Sequence, residues 1–124
     1  MEVLLLDNEG LMHTTLEFKL QKAGMTPVYI NQADEISQII TDRDIAIAIL
    51  DLDIEKSDVE HILHVCELNK DHVIPVLGIT SLEDEDIILY WLQKGILDFI
   101  AKPYKTSEII IRIKKALSSA EVKS

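Results

Sequence analysis

Six apolar residues in unbroken succession, Ile45 to Leu50, run into two carboxylates separated by one leucine in the stretch IAIAILDLD, Ile45 to Asp53. Charge bounds the run on both sides, with Asp42, Arg43 and Asp44 before it and Glu55 and Lys56 after it. A continuous apolar run of this length between charged segments reads as a strand buried on both faces. Its carboxylates then sit at the strand's C-terminal end, the edge where open parallel α/β sheets place their chemistry. The plainer reading is that Asp51 and Asp53 cap the next turn, because Asp is a common turn former. Glu2 to Asp7 (EVLLLD) repeats the pattern of an apolar run ending in acid. Thr26 to Ile30, Val73 to Thr80 (VIPVLGIT) and Asp98 to Ala101 (DFIA) complete a set of five predicted strands.

Between these runs the spacing of apolar positions turns helical. Leu11 to Ala23 carries Leu11, Met12, Leu16, Phe18 and Leu20 on a stripe, with Gly24 placed to follow the helix. Asp34 to Thr41 puts Ile36, Ile39 and Ile40 on one face. Ser57 with Glu60 makes a capping-box pattern for a helix to about Asn69, and Ser81 with Asp84 opens another that runs to Lys94 and closes at Gly95. In that helix Ile88, Trp91, Leu92 and Gly95 are expected to face the sheet, leaving Leu89 and Tyr90 outside. The last helix, Thr106 to Ser119, has Ile109, Ile110, Ile113, Ala116 and Leu117 inside and Arg112, Lys114 and Lys115 toward its C-terminal half, where cations suit the helix dipole. Strands alternating with helices imply an α/β fold, a doubly wound five-stranded parallel sheet with five helices and right-handed crossovers. Residues 1–120 read as one domain and 121–124 as a C-terminal tail.

Composition adds exclusions. At 124 residues and 48% apolar, the chain can bury a core without disulfides or metal staples. One cysteine, Cys66, forbids an internal disulfide and fits a reducing compartment. No apolar run approaches the roughly 18 residues of a membrane span, and the acidic N-terminus is unlike a signal peptide, so a cytoplasmic location is expected. A net charge of -10 argues against nonspecific binding to nucleic acid or anionic membrane and is compatible with cation binding.

The strand ends deliver Asp7, Asn8 and Glu9, then Asp51 and Asp53, then Thr80, then Lys102 before Pro103. Carboxylates gathered at one edge repel unless a cation neutralises them, and hard oxygen ligands suit Mg²⁺ or Mn²⁺. A lysine and a threonine hydroxyl beside them suit the oxygens of a transferred phosphoryl group. Other candidates are weaker. His61 and His64 stand at i, i+3 with no second cluster to complete a metal site, Cys66 reads as a small core residue, and Gly10, Gly24, Gly78 and Gly95 are too scattered to cradle a nucleotide.

Over its whole length the chain resembles the receiver domain of two-component response regulators. The matching pieces are the acidic cluster in LLLDNEG, the aspartate in AILDLDIEKSDVE, the threonine in PVLGITS, the lysine and cis-prone proline in DFIAKPY, and the final helix SEIIIRIKKAL. The resemblance implies a flavodoxin-like strand order 2-1-3-4-5. It implies that Asp51 accepts a phosphoryl group from a histidine kinase or phosphotransfer protein in a Mg²⁺-dependent reaction, as a signalling switch that assists its own phosphorylation and dephosphorylation and is not a conventional turnover enzyme. By the same resemblance Asp7 falls on the first member of the acidic pair, Thr80 on the signalling hydroxyl, Lys102 on the lysine that pairs with phosphoryl oxygens, and Phe99 on the switch aromatic. The backbone carbonyl of Asp53 falls on a metal-ligand position. The fourth helix, fifth strand and fifth helix fall on the output surface, for an output domain or a homodimer.

Some positions depart from that pattern. Asn8 stands where the second acid of the pair is usual, and an amide oxygen ligates Mg²⁺ without contributing charge. Asp53 is ordinarily a solvated loop carboxylate; the alternative is that it turns inward and replaces the missing charge. Glu9 is the other conceivable donor. Glu55 and Val59 replace a proline and a glycine in the loop after Asp51, and a left-handed conformation at Val59 would be costly. These departures motivate a second reading, a degenerate pseudo-receiver that binds partners without phosphorylation. LDLD also resembles the Asp-x-Asp motif of haloacid dehalogenase-like phosphohydrolases, which carry it on the first strand of a longer chain, whereas here it lies on the third.

Overall fold

Apolar runs with no polar interruption are buried only when both faces of their sheet are covered. The structure, a computed structural model that describes residues 1–6, 13–81 and 84–123, meets that requirement with strands and helices in alternation. In chain order these are β1 (Glu2–Leu6), α1 (His13–Lys22), β2 (Thr26–Ile30), a 3-10 turn (Ala33–Glu35) leading into α2 (Ile36–Asp42), β3 (Ile45–Asp51), α3 (Lys56–Glu67), β4 (Val76–Thr80), α4 (Glu85–Lys94), β5 (Ile96–Ala101) and α5 (Thr106–Lys123). The strands form one parallel sheet in the order β2-β1-β3-β4-β5. This is the flavodoxin-like order expected.

Alternation along the central strands divides the core in two. Leu4, Leu6, Ala48, Leu50 and Val76 face one side, where Ile36 of α2, Val59, Ile62, Leu63 and Cys66 of α3 and Trp91 of α4 cover them. Val3, Leu5, Ile47, Ile49, Leu77 and Ile79 face the other, against Leu16 and Leu20 of α1 and Ile109, Ile113 and Ala116 of α5.

Several element edges differ from expectation for local reasons. β4 begins at Val76 and leaves Val73 exposed, because Pro75 has no N–H to give the ladder; its carbonyl accepts from Ala48 N instead. Ser57 lies inside α3 and Glu55 is the cap, without a side-chain bond, so the expected capping box is absent. At α4 the cap is Asp84 alone, whose carboxylate accepts from Asp86 N–H, and Gly95 closes the helix at φ 115° as expected. Phe18 lies opposite Leu16 and Leu20 and is exposed. On α4 the inner stripe is Ile87 and Trp91, four residues apart, so Leu92 and Gly95 are exposed rather than inward. Tyr90 is half-buried: its ring meets Trp91 edge-on at 5.0 Å, and Lys56 Nζ stands 4.1 Å over its face. α5 runs past Ser119 over three of the four residues expected as tail.

Candidate functional site

Because every strand is parallel, all five C-terminal ends share one edge, and the connections leaving that edge carry the site. β3 ends at Asp51, which pairs in register with Ile79 of β4, and Leu52 N–H continues to the Ile79 carbonyl. β4 ends at Thr80. Lys102 follows β5, fixed by its N–H on the Thr80 carbonyl at 2.9 Å, and its bond to Pro103 is cis. Asp51, Thr80 and Lys102 are thereby brought together as the sequence indicated.

The Asp51 side chain is 1% exposed. Its Oδ1 accepts the Asp53 N–H at 2.9 Å and its Oδ2 accepts Lys102 Nζ at 2.9 Å. The same ammonium donates to Asp53 Oδ2 at 3.1 Å. Asp53 therefore does not lie solvated in the loop. Its side chain is turned inward and 23% exposed, and it also accepts from Ser81 Oγ at 2.8 Å, from Ser81 N–H at 3.3 Å and, at a long 3.4 Å, from the Thr80 hydroxyl. Burial on its own would raise the Asp53 carboxyl; hydrogen bonds from Ser81 and Lys102 and the charge of Lys102 outweigh it and hold it below the usual value. Burial on its own would likewise lower Lys102, and the bonds to and charges of Asp51 and Asp53 hold it above.

Ser81 was expected only as a helix cap. The one signal available was its position beside Thr80 at a strand end. Val59 is an ordinary helical residue of α3, buried against the sheet, and no residue other than glycine has a positive φ among the described residues, so the anticipated strain after Asp51 does not arise. Phe99 is half-buried against the α4 side of the core. It follows Asp98, whose Oδ2 accepts Arg112 Nη1 at 2.6 Å and ties β5 to α5. His61 and His64 are both exposed on α3, while Cys66 is buried and its thiol is pushed up to about 12 by burial.

Asp7, Asn8 and Glu9 lie outside the described residues, and among the described residues no three His, Cys, Asp or Glu side chains converge as a metal set. The chemistry of the residues that are described suits a hard divalent cation. Two carboxylates share a single ammonium, the Asp51 oxygens, with one hydrogen bond each, can each accept a further contact, and the neighbouring open cleft of about 790 Å³ is lined by Asp34, Asp53, Glu55 and Asp58 against one lysine, Lys56.

Comparison with known proteins bears on this arrangement. The family profile described as the response regulator receiver domain matches residues 3–114. The putative response regulator NtrX-like of Rickettsia typhi is 26% identical over 125 residues, covering 99% of this chain and 26% of that protein, so the chain spans about a quarter of this curated relative. Among solved structures, the CheY-like response regulator receiver domain protein of Methanospirillum hungatei superposes with a TM-score of 0.83 at 17% identity, covering 99% of this chain and 98% of that one. The receiver domain of a sensor histidine kinase from Pseudomonas aeruginosa, with a magnesium ion coordinated in its active site cleft, superposes with a TM-score of 0.76 at 18% identity, covering 94% of this chain and 97% of that one.

Proposed function

Since the chain belongs to the receiver-domain family of response regulators, we propose that it is a phosphoaccepting switch in which Asp51 takes a phosphoryl group from a histidine kinase or phosphotransfer protein. The observation that supports this most directly is the buried Asp51 carboxylate held 2.9 Å from Lys102 Nζ. One carboxylate oxygen attacks the phosphorus of a phosphoimidazole; the new O–P bond forms as the N–P bond breaks, and the electron pair stays on the imidazole. Lys102 then balances the added negative charge. Thr80, at the end of β4, donates its hydroxyl to a phosphoryl oxygen, and Phe99 follows that movement into the core. Asp51, Asp7, Asn8 and the Asp53 carbonyl would hold a Mg²⁺ or Mn²⁺ ion, which would supply charge neutralisation for the phosphoryl oxygens.

Output passes through the face formed by α4, β5 and α5, toward an output domain or a second copy. Leu89 and Leu92 on α4 and Leu97 on β5 are exposed there. Incubation with a small acyl phosphate and Mg²⁺ is expected to add the mass of one phosphoryl group to the intact chain, and Asp51→Asn to abolish the gain. No gain with any donor, together with partner binding that is unchanged in Asp51→Asn, would replace this function with that of a phosphorylation-independent interaction module.

A further inference from the structure

Among the described residues, four donor groups from three residues converge on one carboxylate that is not the nucleophile: the Thr80 hydroxyl, the Ser81 amide, the Ser81 hydroxyl and the Lys102 ammonium all reach Asp53. Both carboxylate oxygens are engaged, Oδ1 by Thr80 and Oδ2 by Ser81 and Lys102. Hydroxyl, backbone amide and ammonium donors converging in this way form a binding site for the oxygens of an anion. We propose that the Asp53 carboxylate is an internal stand-in for the phosphoryl group, occupying the donors that a phosphoryl group on Asp51 would use and leaving them only by displacement. The proposal rests on the phosphoaccepting role of Asp51.

Two further observations fit displacement. The Asp51 side chain is 1% exposed, and Lys102 and Asp53, bonded to each other, are both more exposed, at 19% and 23%. Asp53 also forms part of the wall of the open cleft of about 790 Å³, so its carboxylate has space to swing into when the donors are taken by another anion. A phosphoryl oxygen and the Asp53 carboxylate carry the same sign and compete for the same ammonium, so both cannot hold Lys102 without repulsion. Asp53 thus sets a threshold on phosphoryl binding, in contrast to the metal-ligand role, in which its charge would assist.

Beryllium fluoride, a phosphoryl mimic that needs no donor chemistry, separates the two roles. Binding is followed by the fluorine resonance of the bound species in Mg²⁺ buffer, for the wild type, Asp53→Ala, Asp53→Asn and Glu55→Gln. Asp53→Ala is expected to bind about tenfold tighter, the gain that accompanies removal of one competing charge-assisted hydrogen-bonded group. Asp53→Asn, which keeps the side chain's size, is expected to move in the same direction. Glu55→Gln removes a charge from the same cleft without touching Ser81 or Lys102 and is expected to change binding less than about twofold, as suits an exposed charge. Unchanged or weaker binding by Asp53→Ala and Asp53→Asn overturns the proposal, as does an equal gain in Glu55→Gln, while leaving Asp51 as phosphoacceptor. No binding by any of the four proteins overturns the phosphoacceptor role together with the proposal.

Discussion

Lys102 lies between two carboxylates, and it and Asp53 carry opposite pH signatures. Asp53 is more acidic in the fold than its ordinary 3.8: burial opposes this, and Ser81 and Lys102 overcome it. A carboxyl of that kind stabilises the fold above its unfolded pKa, and the contribution is lost as pH falls through the folded value. Lys102 is raised above its ordinary 10.5, so its contribution is complete below that value and is lost as pH rises through the raised one. In Mg²⁺-free buffer, lowering the pH from about 6 to about 3 is expected to cost the wild type more stability than Asp53→Asn, with the two urea midpoints converging at the acid end. A constant gap over that range would show that Asp53 titrates normally. Asp51, Thr80 and Lys102 were legible in the sequence because each terminates an apolar run, and parallel strands carry such ends to one edge. The inward turn of Asp53 was not legible, because Ser81 and Lys102 reach it across 28 and 49 residues of sequence.

At the scale of elements, β4 presses on the loop that joins the two carboxylates. Gly78 is paired with Leu50 and Phe99, and a Cβ there would stand 2.6 Å from Leu52 Cδ1 and 3.0 Å from its Cγ. Leu52 is buried between Asp51 and Asp53, so Gly78→Ala has to displace the leucine side chain within the core. The variant is expected to lose about 1–3 kcal/mol in urea unfolding, the usual cost of overpacking a core. Adding Leu52→Ala to it should recover part of the loss, whereas strictly additive losses would put the strain elsewhere. Strand and helix order were readable from periodicity, since buried parallel strands leave uninterrupted apolar runs. Edges were not, where one residue decides them: Pro75 shortens β4, and the burial of Trp91, with Ile87 one turn before it, sets the inner stripe of α4 and leaves Leu92 outside.

For the whole molecule, the net charge of -10 sets how the fold responds to salt. Self-repulsion of a strongly acidic chain opposes compaction, and between about 0.01 M and 0.1 M salt the screening length falls from about 30 Å to about 10 Å. Raising NaCl over that range is expected to move the urea midpoint upward and then level off; a fall would mean that ion pairs such as Arg112 with Asp98 outweigh the net charge. The sequence fully disclosed this global charge and the two-layer covering of the sheet. The short connection between α4 and β5 has a consequence for any molecule that reads the α4 face. Only Gly95 separates Lys94, the last residue of α4, from Ile96, the first of β5, and β5 leads directly to Lys102. Such coupling is reciprocal: a reader that binds α4 more tightly once Asp51 is phosphorylated must strengthen phosphoryl binding by the same factor. The reader would then set how much of the domain carries the phosphoryl group at equilibrium as well as respond to it.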